Sequence, residues 1–339
     1  VQVEKLLSGG RKIDAVRPCT PGSGISQLNE LEVEKFRKLF QESLNQTASV
    51  KQFVPASGAA SRMFKSLLSG LTSDEESILL NGWQNFPFSQ QMVPNMSNPN
   101  SVLDEIIRAI IDPEAGLGLA GKPKGCVPFH LYEDGEVRTA FEEHLFEWEA
   151  CCGGKGGLVF TIQNQFSSEV EALLQRAQVP IELEEQHVST DTVAWNLETG
   201  GLLRDANGDL VWRPGGHGAL LKNLGEVDGE LVFVRNIDNV VDESGMGLRR
   251  RWQQALGGLA LSLRQERDGV VAALRRGNDG AVEEARSFLR GLVDFAQEPD
   301  SMDAWIQAVD RPIRVAGMVP NVGQPGGGPF WIADGNGHL

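Results

Sequence analysis

Apolar positions along the chain switch between helical and strand spacing. Between residues 31 and 45, Val33, Phe36, Leu39, Phe40 and Leu44 fall on one face of a helix. Val50 to Val54 is a short apolar run that predicts a strand, followed by a small-residue turn and a helical stretch from Arg62 to Leu68. Residues 72–101, rich in Ser, Asn and Gln and interrupted by proline, read as an insertion or lid. Leu103, Ile106, Ile107, Ile110 and Ile111 mark the next helix, stopped by Pro113. Arg138–Cys152 then predicts a helix, Leu158–Gln163 a strand, Ser167–Gln178 a helix, and Ile181–His187 and Val193–Leu197 strands. Asn207-Gly208 marks a hairpin turn, and Leu231–Arg235 is a short buried strand. A helical region covers 247–298 with a break at Gly277–Gly280, and Pro312–Val319 returns as a strand. Strands alternating with helices predict an α/β fold with a mostly parallel central sheet flanked by helices. The expected organisation is an N-terminal helical segment over 1–48 and an α/β domain over 49–339. Ligands of such sheets sit at the carboxyl ends of the strands, so the loops there carry the candidate chemistry.

Composition narrows the classes of function. Hydrophobic residues at 41% and charged residues at 23% of 339 positions are globular proportions and exclude a disordered chain. No window approaches eighteen consecutive apolar residues, which excludes a membrane-spanning helix. With 31 basic against 46 acidic residues, the formal charge of -15 argues against nucleic acid as a partner. A phosphate-bearing ligand therefore needs a local basic pocket or a bound cation. The start Val1-Gln-Val-Glu-Lys5 has neither the basic stretch nor the apolar run of a secretory signal, and a cytoplasmic location is expected. Its lack of Met suggests a trimmed or partial chain. Cys19, Cys126, Cys151 and Cys152 show no Cys-x-x-Cys spacing that would point to zinc.

Glycine is the outlier, at 39 residues, and it clusters after predicted strands. Ser57, Gly58, Ala59, Ala60 and Ser61 are all small and open a helix, so their amides can face a phosphate, with Arg62 and Lys65 adding charge. A tight strand-to-helix turn would use the same residues. Lys124, held between Pro123 and Gly125, is either a phosphate-binding point charge or an exposed turn lysine. Asp238, just past Val232-Phe-Val-Arg-Asn-Ile, is placed to meet a divalent cation or to cap a turn. Gly215, Gly216, His217 and Gly218 form a loop that leaves backbone open to a flat ligand, or an ordinary turn. Asp191 could bind a sugar hydroxyl or cap its turn. Glu143 and His144 lie at helical spacing with Arg138 and Glu142 and could reach a substrate, but read first as capping and solvating residues, and Arg249-Arg250-Arg251 as a solvated helix face that could also hold an anion.

The run Ser57-Gly-Ala-Ala-Ser-Arg-Met63 followed by Pro123-Lys-Gly125 resembles the sugar-nucleotidyltransferase superfamily, whose loop reads Gly-Gly-x-Gly-Thr-Arg-Met/Leu. Here Ser57 and Ala60 stand for two glycines and Ser61 for the threonine. Arg213-Pro-Gly-Gly-His-Gly218 resembles the loop that packs on base and sugar in uridylyltransferase-type pyrophosphorylases. Together with Pro-Phe-His, Arg-Thr-Ala-Phe-Glu-Glu-His, Ser-Thr-Asp-Thr, Asn-Ile-Asp-Asn-Val-Val and Arg-Pro-Ile-Arg-Val-Ala-Gly-Met-Val, these motifs run in order from Phe53 to Trp331 and resemble the bacterial family named for domain of unknown function 4301. Members usually continue past Gly-Gly-Gly-Pro-Phe-Trp331, so by resemblance a C-terminal portion is expected to be absent.

The resemblance implies a GT-A-like nucleotidyltransferase fold over 49–339 and a reaction joining a sugar 1-phosphate to a UTP-like NTP. It implies Arg62, Lys124 and Asp238 as catalytic residues, with Asp238 also holding Mg²⁺. Ser57, Gly58, Ala59, Ser61, Lys65 and Gly215–Gly218 would then bind the nucleotide, and Asp191, Asn239, Gly326, Gly327 and Gly328 the sugar. Expected partners are an NTP and a sugar 1-phosphate, without nucleic acid or membrane. The alternative expectation is a non-catalytic protein that keeps the fold and binds a nucleotide or sugar nucleotide.

Overall fold

Four of the apolar runs pair into one sheet. In the computed structural model, which describes residues 2–8, 15–46, 49–96, 102–175, 177–213, 215–295, 297–320 and 327–333, β1 (Val50–Pro55), β2 (Gly157–Ile162), β3 (Ile181–Glu185) and β4 (Leu231–Val234) are all parallel. Their order is β4-β1-β2-β3, with Val50 opposite Leu231, Lys51 opposite Gly157 and Leu158 opposite Ile181. The expected α/β class with a mostly parallel sheet is thus observed. All six residues of β2 are buried, which explains its unbroken apolar run: helices and loops cover both faces of a central parallel strand. Gly156 is required beside it, because a Cβ there would lie 2.2 Å from the Val50 carbonyl oxygen, and its φ is +75°.

The helix that braces this sheet is α1 (Ala140–Cys152). Thr139 caps it, accepting from Glu142 N–H while the Glu142 carboxylate accepts from Thr139 N–H at 2.8 Å, and Gly153 ends it in a left-handed conformation. Phe141 meets Phe160 of β2 edge to face at 4.9 Å, and Trp148, fully buried, donates from Nε1 to the Lys155 carbonyl. The reading of Glu143 and His144 as solvating residues is corrected here: both are 0% exposed, because the helix face they share turns toward the sheet and the loops beyond it. Of residues 72–101, expected as an insertion or lid, 72–96 hold the helix Ser73–Gly82 and shorter turns, and 97–101 lie outside the described residues. Leu79, Trp83, Phe88 and Met92 from this stretch are buried in one apolar cluster with Ile106 and Ile110.

By backbone contacts the chain divides into two compact units, Ala48–Arg250 and Val1–Thr47 with Arg251–Leu339. The first contains the sheet. In the second, the amphipathic helix Glu30–Asn45 buries Val33, Phe36 and Phe40, and Gly258 packs so close that a Cβ would reach 1.8 Å from the Phe36 carbonyl oxygen. The long helix α2 (Glu243–Arg276) gives its first turns to one unit and the rest to the other; Gly277 and Gly280, both at positive φ, separate it from the helix Ala281–Leu289 as expected. Two sequence readings are corrected. Pro312–Val319 forms no strand, since it finds no pairing partner among the described residues and Pro312 lacks a donor. Val193–Leu197 is instead split between the two-residue strands Thr192–Val193 and Trp195–Asn196, which pair antiparallel with Trp212–Arg213 and Gly201–Leu202. Asn207-Gly208 does turn a hairpin, with Gly208 at φ +87°. No described helix is long and apolar enough to cross a membrane.

Candidate functional site

Three of the four parallel strands are followed directly by a polar residue, Gln163, Gln186 or Arg235, and these residues knit the loops together. Beyond β2, Gln163 Nε2 donates to the Ser57 carbonyl at 2.5 Å. Beyond β3, Gln186 accepts from Ser57 Oγ at 3.3 Å and donates to the Gly215 carbonyl at 3.1 Å. The Ser57–Ser61 loop after β1 is braced from its other side, where Ala60 N–H donates to the Lys122 carbonyl and Lys124 N–H to the Gly58 carbonyl. The first loop, the Pro123-Lys124-Gly125 turn and the glycine loop at 215 therefore form one hydrogen-bonded rim.

Lys124 and Asp238 meet on that rim. Lys124 Nζ donates to Asp238 Oδ2 at 2.7 Å, with the two side chains 25% and 36% exposed. A half-wet pair of this kind contributes about 0–1 kcal/mol, so an incoming anion can displace the carboxylate from the lysine at small cost. The backbone under Lys124 is fixed by packing: a Cβ on Gly125 would sit 2.3 Å from the ring of Phe141, which is fully buried.

Asp238 is held by a buried layer that the sequence did not reveal. His144 Nε2–H donates to the Ile237 carbonyl at 3.2 Å, and its Nδ1 accepts from Gln52 Nε2 at 3.3 Å, which fixes one tautomer. Burial, then the charge of Arg235, lowers the His144 pKa to about 3, so the ring is neutral. Glu147, also buried, accepts from Val241 N–H at 2.9 Å and faces Arg235 Nη1 at 2.9 Å and Arg249 Nε at 4.0 Å. Arg235 and Arg249 both donate to the Asn239 carbonyl, and Arg249 also to Asn239 Oδ1. The turn from Asn236 to Asn239 is thus clamped on both sides of Asp238. Arg249 accordingly departs from the expected solvated helix face.

A second buried carboxylate sits one turn earlier on α1. Glu143 Oε1 accepts from Tyr132 Oη at 2.6 Å and lies 2.8 Å from His130 Nδ1, while Oε2 has no hydrogen-bond partner among the described residues. Burial and the bond to Glu143 raise the Tyr132 pKa.

The remaining expected residues divide. Arg62 and Lys65 flank the first loop, exposed. Gly58 has no close neighbour to forbid a side chain, whereas a Cβ on Gly215 would come within 2.7 Å of both the Thr190 carbonyl oxygen and Ala219 Cβ. The open backbone at 215 therefore serves the close approach of the protein's own Val188–Thr190 turn, and Asp191 follows that turn directly. Gly216 and Gly218 are open, and the His217 side chain lies outside the described residues, as does Gly326. Gly327 and Gly328 belong to the other unit, just before the strand Phe330–Ile332.

A profile for the family described as domain of unknown function (DUF4301) matches residues 1–339. The chain belongs to that family. No curated protein matches it. Of the motifs in this DUF4301 chain, Pro123-Lys-Gly125 and Asn236-Ile-Asp-Asn239 are the two that meet in the Lys124–Asp238 pair. Gln52, His144, Glu147, Gln163, Gln186 and Arg235 were missed as site residues. One local signal was present for three of them: Gln163, Gln186 and Arg235 are each the first residue past a parallel strand.

Proposed function

We propose that this protein is a GT-A-like sugar-1-phosphate nucleotidyltransferase. The observation that carries the reading is the Lys124–Asp238 pair on the rim at the carboxyl ends of the parallel strands, tied by backbone hydrogen bonds to the Ser57–Ser61 loop. In this reading a phosphate oxygen of the sugar 1-phosphate attacks the α-phosphorus of a UTP-like NTP. The bond to the bridging oxygen breaks and pyrophosphate leaves. Such transfer needs little covalent help and is driven by positioning and charge neutralisation. Lys124 would leave Asp238 and take the transferred phosphate, Arg62 and Lys65 would hold the β- and γ-phosphates, and Ser57, Gly58, Ala59 and Ser61 would line the approach. Gly216, His217 and Gly218 would face the base, and Asp191 and Asn239 the sugar.

Asp238 is the residue that would hold Mg²⁺. Its side chain is 36% exposed and pairs with Lys124, so it would be reachable by a cation that arrives on phosphate oxygens. When bound, the cation would supply charge neutralisation at the phosphates. Lys124 and a cation also answer the -15 background locally. The closed ion pair favours one second reading, a binder of sugar nucleotides without turnover, in which Asp238 only orients Lys124.

Pyrophosphate release across a panel of NTPs and sugar 1-phosphates with Mg²⁺ tests the proposal. Wild type should turn over one combination, and K124A and D238A should each lose at least about 100-fold, the scale of one electrostatic contact to a transition state. A silent panel from folded protein that still binds UTP or a UDP-sugar would replace the transferase with the binder.

A further inference from the structure

Two guanidinium groups share one carboxylate beyond the end of β4. Arg235 Nη1 and Arg249 Nε lie 2.9 and 4.0 Å from the same oxygen of Glu147, whose side chain is 1% exposed, and the other oxygen is committed to Val241 N–H. The trio carries one positive charge in excess, where desolvation makes an uncompensated charge costly. Burial and then the charge of Arg235 push the Arg249 pKa down, with Glu147 opposing. Arg235 Nε is buried with no hydrogen-bond partner among the described residues. Arg249 is the accessible member: its side chain is 24% exposed, and among the described residues its Nη1 meets no acceptor. Because Asn239 Oδ1 turns to Arg249 Nη2 at 3.1 Å, the Asn239 Nδ2 donor is left to face elsewhere. Asp238, the next residue back, holds Lys124.

We infer that Arg249, backed by Arg235 and flanked by Asn239, binds a phosphate group. A dianion supplies the missing negative charge, and Arg249 Nη1, which meets no acceptor among the described residues, offers it a charged N–H donor. The ligand class is a phosphomonoester or a pyrophosphate. The role of the site within catalysis rests on the transferase reading, whereas its anion binding does not.

Calorimetric titration of the full chain with inorganic phosphate, pyrophosphate and glucose 1-phosphate tests this, using wild type, R249Q, R249K and R250Q. Binding should be saturable, weakened about tenfold or more in R249Q, less in R249K, and unchanged in R250Q, whose arginine is exposed one residue away. A preference for pyrophosphate assigns the site to the leaving group, and one for glucose 1-phosphate to the acceptor. Wild type that does not saturate, folded R249Q that binds like wild type, or R250Q that weakens binding equally overturns the inference. Should R249Q not fold, protection of Arg249 in wild type from phenylglyoxal by phosphate decides instead, and no protection overturns it. Phosphate binding lost in R249Q beside a silent pyrophosphate-release panel would leave this site standing and the transferase fallen. Turnover without Arg249-dependent binding would do the reverse.

Discussion

Acid should loosen the candidate site through His144 before most surface groups titrate. The ring is fully buried and neutral, donating to Ile237 and accepting from Gln52, with a pKa lowered from 6.5 to about 3. Folding therefore keeps a proton off a group that the unfolded chain would protonate. The stabilising contribution is complete above pH 6.5 and falls as pH drops toward 3. A displacement of that size is worth about 5 kcal/mol in full, at about 1.4 kcal/mol per unit, and about 2 kcal/mol of it is lost between pH 7 and pH 5. The perturbation is pH, and the reference is H144Q, which keeps polar atoms in the pocket but does not titrate. Urea unfolding of both proteins at pH 7, 6 and 5 separates the two contributions. H144Q should be less stable at pH 7, because its hydrogen bonds are poorer, and the gap should shrink by about 2 kcal/mol by pH 5. A gap that stays constant would refute the neutral, buried assignment of the ring.

Two other changes probe the same layer. E147Q neutralises the one carboxylate that faces both Arg235 and Arg249 among the described residues and leaves two largely desolvated cations without it, so it should cost about 3–5 kcal/mol in urea denaturation at neutral pH. G125A drives a Cβ into the Phe141 ring and should cost about 1–3 kcal/mol by the same measurement, with Lys124 displaced from Asp238.

The sheet was largely legible from the amino-acid pattern, because parallel strands buried on both faces must be short and apolar: β1, β2 and β4 lie where the runs at 50–54, 158–163 and 231–235 predict them, and β3 within 181–187. Pro312–Val319 has a similar look but no strand, since pairing depends on an available edge that no local pattern records. Of the candidate site, the amino-acid pattern singled out the half-exposed members, Lys124 between Pro123 and Gly125 and Asp238 beyond β4. Its buried support was not legible. Glu143, His144 and Glu147 are charged or polar types on a helix, which ordinarily face water, and only the tertiary partners His130, Ile237 and Arg235 explain their burial.

The order in which strands join the sheet has a consequence for how this chain acquires its structure. β1 is made early in synthesis, yet its two neighbours are β2 and β4, so Lys51 waits for Gly157 and Val50 waits for Leu231. Until Val234 has emerged, one edge of β1 carries unpaired donors and acceptors, the state in which strands aggregate. The other unit draws on both Val1–Thr47 and Arg251–Leu339 and can close only afterwards. Folding should accordingly be slow and late, governed by contacts distant in sequence, and truncations ending before β4 should be insoluble even though they retain most of the residues on the rim.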